Sequence, residues 1–143
     1  MTNAASQDTA PLTDAIIVAL SKLVDDAQAE SYREPSHSEI QVQIDRAGLS
    51  SVDPNQQGQT LGKAKRVRTV LYWAIENNAI GGGRFVSGLL AHVRGCGGFR
   101  PESPNYAGAD AIRGAVEAFS TEGFVLVSRK RSHVNDSAAQ PCG

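Results

Sequence analysis

The chain has 143 residues, of which 41% are hydrophobic and 20% are charged. These fractions exclude a wholly disordered chain and fit a single globular domain. The net charge of −1 also argues against a protein that binds polyanions through its overall charge.

The charge is unevenly distributed along the chain. Residues 1–60 contain three basic and nine acidic side chains, a balance of −6, whereas residues 61–143 contain eleven basic and six acidic ones, a balance of +5. This division fits mutual attraction between two halves of one domain, an anion-binding face, or an oligomer built from opposite patches.

The features that bear on location favour the cytoplasm. The two cysteines, Cys96 and Cys142, are too few for a disulfide framework, so a reducing compartment fits best. Residues 1–9 lack the cationic start and apolar segment of a signal peptide. No apolar run approaches the roughly 20 residues that span a bilayer. We expect a soluble, cytoplasmic protein without membrane contact.

The first helix is predicted after a disordered leader at residues 1–10. Pro11 and Thr13 are start signals, and the helix must end before Pro35, because proline disfavours helical geometry in the residue before it. The apolar residues recur every three or four positions, which is typical of an amphipathic helix: Leu12, Ile16, Leu20, Leu23 and Ala27.

A second helix is predicted to begin at Ser36 and to end at Gly48. Ser36 can accept a hydrogen bond from the Glu39 amide while the Glu39 carboxylate reaches back to the Ser36 amide, which is the reciprocal capping box. Residues 50–60 are polar, and we expect a mobile loop there.

The longest helical pattern covers residues 61–78 and has a continuous apolar stripe. Gly81, Gly82 and Gly83 follow it and predict a flexible hinge. A fourth amphipathic helix is then predicted over residues 85–95.

The fifth helix is predicted to begin near Tyr106 and to stop at Gly123. Residues 124–127 have the apolar, β-branched composition of a short strand, and residues 129–143 are predicted to be a disordered tail. These patterns predict an all-α fold over residues 11–128, a compact bundle of about five helices with at most one short terminal strand or hairpin.

A cationic surface is predicted in the first turns of the third helix, within residues 63–68. At 100° per residue, Lys65, Arg66 and Arg68 project away from the apolar stripe. Their counterpart is a nucleic-acid phosphate, the acidic face of the first helix, or a partner protein. A helix-turn-helix is excluded, since about a dozen residues separate the second and third helices instead of three or four.

The candidate chemical groups do not assemble into a catalytic, cofactor or metal site. His92 and Cys96 are four residues apart, but a structural zinc site needs four ligands and no further pair is present. Cys96 has no identifiable base and no third group that would make it a nucleophile. The glycine-rich segments lack the preceding strand of a phosphate-binding loop.

The connection over residues 94–108 combines glycines, which allow positive φ, with prolines, which fix φ. We expect the rings of Phe99 and Tyr106 to anchor this connection to the core. Arg100 and Asn105 are predicted to face outward and, with Arg94, to extend the binding surface.

Several segments, taken in order, resemble a known domain: residues 20–27, 35–38, 62–68 and 94–108, followed by Ala111, Ile112 and Phe119. Over residues 12–127 the chain is similar to the helical domain at the amino end of bacterial abortive-infection proteins that carry a separate Abi-like C-terminal domain. In that family the region corresponding to residues 122–124 leads into the second domain, whereas a basic triplet and a polar tail follow here. The resemblance implies a phage-defence module that lacks the effector domain.

A fainter similarity to bacterial death-like, effector-associated adaptor domains favours association with other proteins. The sequence thus predicts a non-catalytic helical interaction or regulatory module that binds a protein partner or itself. The predicted binding residues are Lys65, Arg66, Arg68, Arg94, Arg100 and Asn105. The alternatives are a nucleic-acid-binding module that uses residues 63–68, and a small enzyme whose site the sequence does not reveal.

Overall fold

The computed structural model describes residues 12–25 and 33–124. Within these ranges there are two 3₁₀ turns, Ser50–Val52 and Pro54–Gln57, and five α-helices: α1 (Asp14–Val24), α2 (His37–Arg46), α3 (Lys63–Asn77), α4 (Ala79–Gly95) and α5 (Ala109–Thr121). The predicted all-α bundle is confirmed for this part of the chain. None of its helices is long and apolar enough to cross a bilayer.

Some predicted segments lie outside the described residues. These are the leader at residues 1–10, the tail at residues 129–143, and nearly all of the predicted strand. Of that strand only Phe124 is described, and it is exposed and in no regular element.

Helix α1 lies at the centre of the core, because it packs against both α3 and α5. It therefore buries more than the single predicted stripe, and Ile17 and Val24 are fully buried beside that stripe. A helix that is covered on two sides needs a wider apolar face than a surface helix does. The remaining helices contribute one buried face each to the same cluster.

Side chains cap the amino ends of α1 and α2. Thr13 Oγ1 accepts a hydrogen bond from the Ile16 amide at 3.2 Å, and Ser36 Oγ accepts one from the Glu39 amide at 2.9 Å. The reciprocal half of the predicted capping box is absent. The Ser36 amide donates to Glu34 Oε1 at 3.0 Å, so the Glu39 carboxylate is directed elsewhere.

Residues 50–60, predicted to be a mobile loop, contain the two 3₁₀ turns. Asp53 Oδ1 accepts from the Asn55 amide at 3.2 Å and opens the second turn. Asn55 then bonds both backbone groups of Leu61, at 3.1 and 3.2 Å. These side-chain bonds to backbone groups add to the backbone hydrogen bonds of the two turns and order the segment, which its polar composition alone did not indicate.

The predicted hinge at Gly81–Gly83 is wrong, since these glycines are buried inside α4. Asn78 Oδ1 accepts from the Gly81 amide at 3.0 Å and starts the helix well before Phe85. A Cβ on Gly82 would collide with the Leu12 side chain. The glycines here permit close packing of helices and do not provide flexibility.

Candidate functional site

The basic cluster of residues 63–68 is divided between the interior and the surface. Arg66 and Lys63 are only 2% and 6% exposed, whereas Lys65 is exposed and Arg68 is half-buried. The prediction that Lys65, Arg66 and Arg68 form one exposed cationic face is therefore wrong for Arg66. Arg66 precedes Val67 in α3, and its guanidinium contacts Asp53, the residue that opens the second 3₁₀ turn, and His37 at the start of α2.

Arg66 forms a two-pronged ion pair with Asp53, which is fully buried. Arg66 Nη2 donates to Asp53 Oδ2 at 2.6 Å, and Nε donates to Oδ1 at 2.9 Å. Gln56 Nε2 donates to the same carboxylate at 2.7 Å, and Arg66 Nη1 donates to the His37 carbonyl at 3.2 Å. Such parallel bonds are the strongest form of arginine–carboxylate contact.

The pKa of Asp53 indicates that the ion pair with Arg66 stabilises the fold. Burial alone would raise the pKa of Asp53, because a charged carboxylate loses its hydration. The hydrogen bonds from Arg66 and Gln56 and the charge of Arg66 outweigh burial and hold the pKa of Asp53 below its usual value. Asp53 is thus ionised at neutral pH and ties the second 3₁₀ turn to α3.

The connection at residues 94–108 folds back on the end of α4. The Gly98 amide donates to the Val93 carbonyl at 2.8 Å, and the Ala107 amide donates to the Gly98 carbonyl at 2.8 Å. The predicted anchor Phe99 is confirmed as a core residue, and Tyr106 is half-buried. Gly97 has φ of +87°, a conformation in which other residues are strained.

Asn105 does not face outward as predicted. Its Oδ1 accepts from the Glu34 amide at 2.9 Å, and its Nδ2 donates to the Cys96 carbonyl at 3.0 Å. The Asn105 side chain therefore joins the segment before α2 to the end of α4. Asparagine carries both a donor and an acceptor, which suits it to bridge two backbone groups.

Arg94 and Arg100 lie at the surface as predicted. Arg100 Nε is 3.8 Å from Glu102 Oε2, a loose and exposed ion pair. Of the six predicted binding residues, Lys65, Arg94 and Arg100 are exposed and Arg68 is half-buried. The other two, Arg66 and Asn105, form hydrogen bonds within the fold.

A second group of side chains meets where the carboxyl end of α4 approaches the amino end of α2. His92 Nε2 is 3.3 Å from Glu34 Oε1 and 3.5 Å from Cys96 Sγ. His92 Nδ1 is 3.5 Å from Glu39 Oε2, and Gln43 Nε2 donates to that oxygen at 2.7 Å. The group is partly exposed, with 21% of the His92 side chain accessible.

This group corrects the prediction that Cys96 has no base and no third group near it. The four-residue spacing of His92 and Cys96 was visible in the sequence, but the carboxylates come from a segment more than fifty residues earlier. Among residues 12–25 and 33–124, no set of three or more histidine, cysteine or acidic side chains is arranged to hold a metal ion.

Two helices present outward faces of opposite charge. The α4 face contains Ile80, Arg84, Ala91 and Arg94, all exposed, and α4 has no acidic residue. Ile80 is 65% exposed, which is unusual for a large apolar side chain.

The α5 face contains Asp110, Arg113, Val116 and Glu117, and Glu122 follows the helix end. Arg113 Nη1 is 3.0 Å from Asp110 Oδ1, and acidic groups outnumber basic ones on this face. α5 packs mainly on α1, whereas α4 packs mainly on α2 and α3, so the two faces are not principal neighbours.

No protein-family model matches this chain, and neither the curated proteins nor the solved structures searched contain a match.

Proposed function

We propose that the chain is a non-catalytic helical interaction module, of the bacterial abortive-infection type that its sequence resembles, and that it associates with itself. The observation that carries the proposal is the pairing of charge and apolar character between the α4 face and the α5 face. The cytoplasm is the proposed location, because the cysteine content suits a reducing compartment.

The occupant that we assign to the α4 face is a second copy of this chain, because its own α5 face carries the complementary charge. On α4, Arg84 lies one helical turn from Ile80, and on α5 Glu117 adjoins Val116. Complementary charge steers association and fixes register, while a small apolar centre provides the desolvated contact. The two faces belong to different helices, so the contact is head-to-tail and can form rings or chains.

Charge reversal tests this contact. We expect Arg84→Glu to reduce self-association at low salt, because it places a carboxylate opposite Glu117. Glu117→Arg should do the same. Mixing the two variants should restore assembly, because each then supplies the face that the other has lost. Sedimentation equilibrium at low and high salt measures the weight-average mass.

Lys22→Glu is the matched control, since Lys22 is exposed on α1 and lies outside both faces. Its mass distribution should equal that of the wild-type chain. A wild-type chain that stays monomeric at low salt and millimolar concentration would contradict the proposal. Mass gained only on addition of an oligonucleotide would instead favour the nucleic-acid alternative through Lys65 and Arg68.

The proposed setting is defence against bacteriophage, supported by the ordered segments that resemble the abortive-infection domain. Bacteria carrying the gene with its genomic neighbours should plate a panel of phages less efficiently than bacteria without it. Arg84→Glu should remove that protection while Lys22→Glu retains it. Equal plating on all strains would contradict the defence assignment and leave the measured self-association unaffected.

A further inference from the structure

We propose that Cys96, His92 and Glu39 form a thiol–imidazole–carboxylate site in which Cys96 is a nucleophile toward small electrophiles. This goes beyond the interaction function, since it assigns covalent chemistry to a group between α2 and α4. The reaction is stoichiometric modification of the thiol and requires no turnover.

The distances place the three groups in the order that such chemistry needs. Cys96 Sγ is 3.5 Å from His92 Nε2, so the imidazole is the group that takes the thiol proton. On the other side of the ring, His92 Nδ1 is 3.5 Å from Glu39 Oε2. Once the ring is protonated, that carboxylate accepts a hydrogen bond from Nδ1–H and its negative charge stabilises the imidazolium.

Two further contacts hold this arrangement in place. The first is the hydrogen bond that Gln43 Nε2 donates to Glu39 Oε2 at 2.7 Å, which fixes the carboxylate against the ring. The second acts at Cys96, which lies one helical turn after His92 at the end of α4. The Cys96 carbonyl is bonded to Asn105 Nδ2, which fixes the backbone that carries the thiol.

Glu34 competes with the sulfur for the same ring nitrogen. Its Oε1 is 3.3 Å from His92 Nε2, slightly closer than Cys96 Sγ. In a protonated ring, Nε2–H therefore donates its hydrogen bond either to Glu34 Oε1 or to the thiolate of Cys96. The two carboxylates have opposite expected effects: Glu39 supports the reactive thiolate from the far side of the ring, and Glu34 opposes it on the near side.

The step balances without another reactant. With iodoacetamide as the probe, the thiol proton moves to His92 Nε2, the thiolate sulfur forms a bond to the methylene carbon, and the carbon–iodine bond breaks. Iodide leaves, and the imidazolium later returns its proton to water. No oxidant or reductant is consumed.

Alkylation of Cys96 in a Cys142→Ser background tests the site, with the same chain unfolded in concentrated urea as the reference thiol. An ordinary thiol is only a few per cent ionised at pH 7, so we expect the native thiol to react about tenfold faster than the unfolded one. A structural, half-buried cysteine would react more slowly when folded. A native rate at or below the unfolded rate overturns the proposal.

Three variants then separate the roles of the ring contacts. His92→Gln should return the native rate to the unfolded value or below it, and Glu39→Gln should lower it. Glu34→Gln should raise it, because the Gln side chain can still accept from the Ser36 amide but no longer attracts the imidazolium as an anion. Equal effects of the Glu34 and Glu39 variants would contradict the assigned positioning roles, and mass spectrometry of the modified peptide confirms the site of reaction.

Discussion

Replacing Asp53 by alanine is expected to lower the free energy of unfolding by about 3–5 kcal/mol. Asp53 is fully buried and accepts three side-chain hydrogen bonds, two from Arg66 and one from Gln56. The variant leaves the guanidinium of Arg66 charged and without its carboxylate in a water-poor site. Urea denaturation, followed by the fluorescence of Trp73, measures the loss.

Glu76→Ala is the control, because it removes an exposed carboxylate of α3 and should change the stability by no more than about 0.5 kcal/mol. The double variant Asp53→Leu/Arg66→Met leaves no unpaired buried charge. Its loss in free energy of unfolding should therefore be smaller than the sum of the losses of the single variants Asp53→Leu and Arg66→Met. Additive losses would show that the two side chains do not act as a pair.

The same pair makes stability depend on pH in a defined direction. The pKa of Asp53 is lowered in the folded protein, so the unfolded chain binds the proton first. The ionised Asp53 side chain contributes its full share to the free energy of unfolding above the usual aspartate pKa of about 3.9. This share is lost as the pH falls below that value and through the lowered pKa of the folded protein. The Asp53→Ala variant should lack this part of the acid destabilisation.

Arg33→Met should cost about 3 kcal/mol, because charged hydrogen bonds contribute roughly 1.5–3 kcal/mol each. Arg33 is buried, and its Nη2 donates to the carbonyls of Leu23 and Asp25 at 3.1 and 2.7 Å, at the end of α1. Methionine fills similar space but leaves both carbonyls without this donor. Thermal and urea unfolding monitored by circular dichroism measure the change.

Arg46→Met is the matched control for this substitution. Arg46 is exposed in the last turn of α2, where a positive charge interacts favourably with the helix dipole, so its loss should cost less than about 1 kcal/mol. Equal losses for the two variants would mean that burial of Arg33 and its carbonyl contacts do not distinguish it from a surface arginine.

The sequence determined most of the helices because their signals are local. Apolar spacing and the hydroxyl caps Thr13 and Ser36 place α1 and α2, and the shift from an apolar stripe to the Arg94–Gly108 connection ends α4 at Gly95. A helix is defined by residues within one or two turns, so periodicity and capping suffice to locate it. Phe99 as a core anchor follows from a different local signal, which is its large aromatic side chain within an otherwise polar and glycine-rich connection.

Only the tertiary structure decided which polar groups lie inside. Arg66 is paired with Asp53 thirteen residues away, and Asn105 bonds Glu34 across seventy-one residues. The sequence of α3 predicts the same exposure for Arg66 as for its neighbour Lys65, because both are basic and both lie off the apolar stripe. Arg66 is nevertheless buried, since a distant segment covers it. The meeting of Cys96 and His92 with two carboxylates has the same origin. Contacts between distant segments depend on how the helices pack, which local periodicity does not specify.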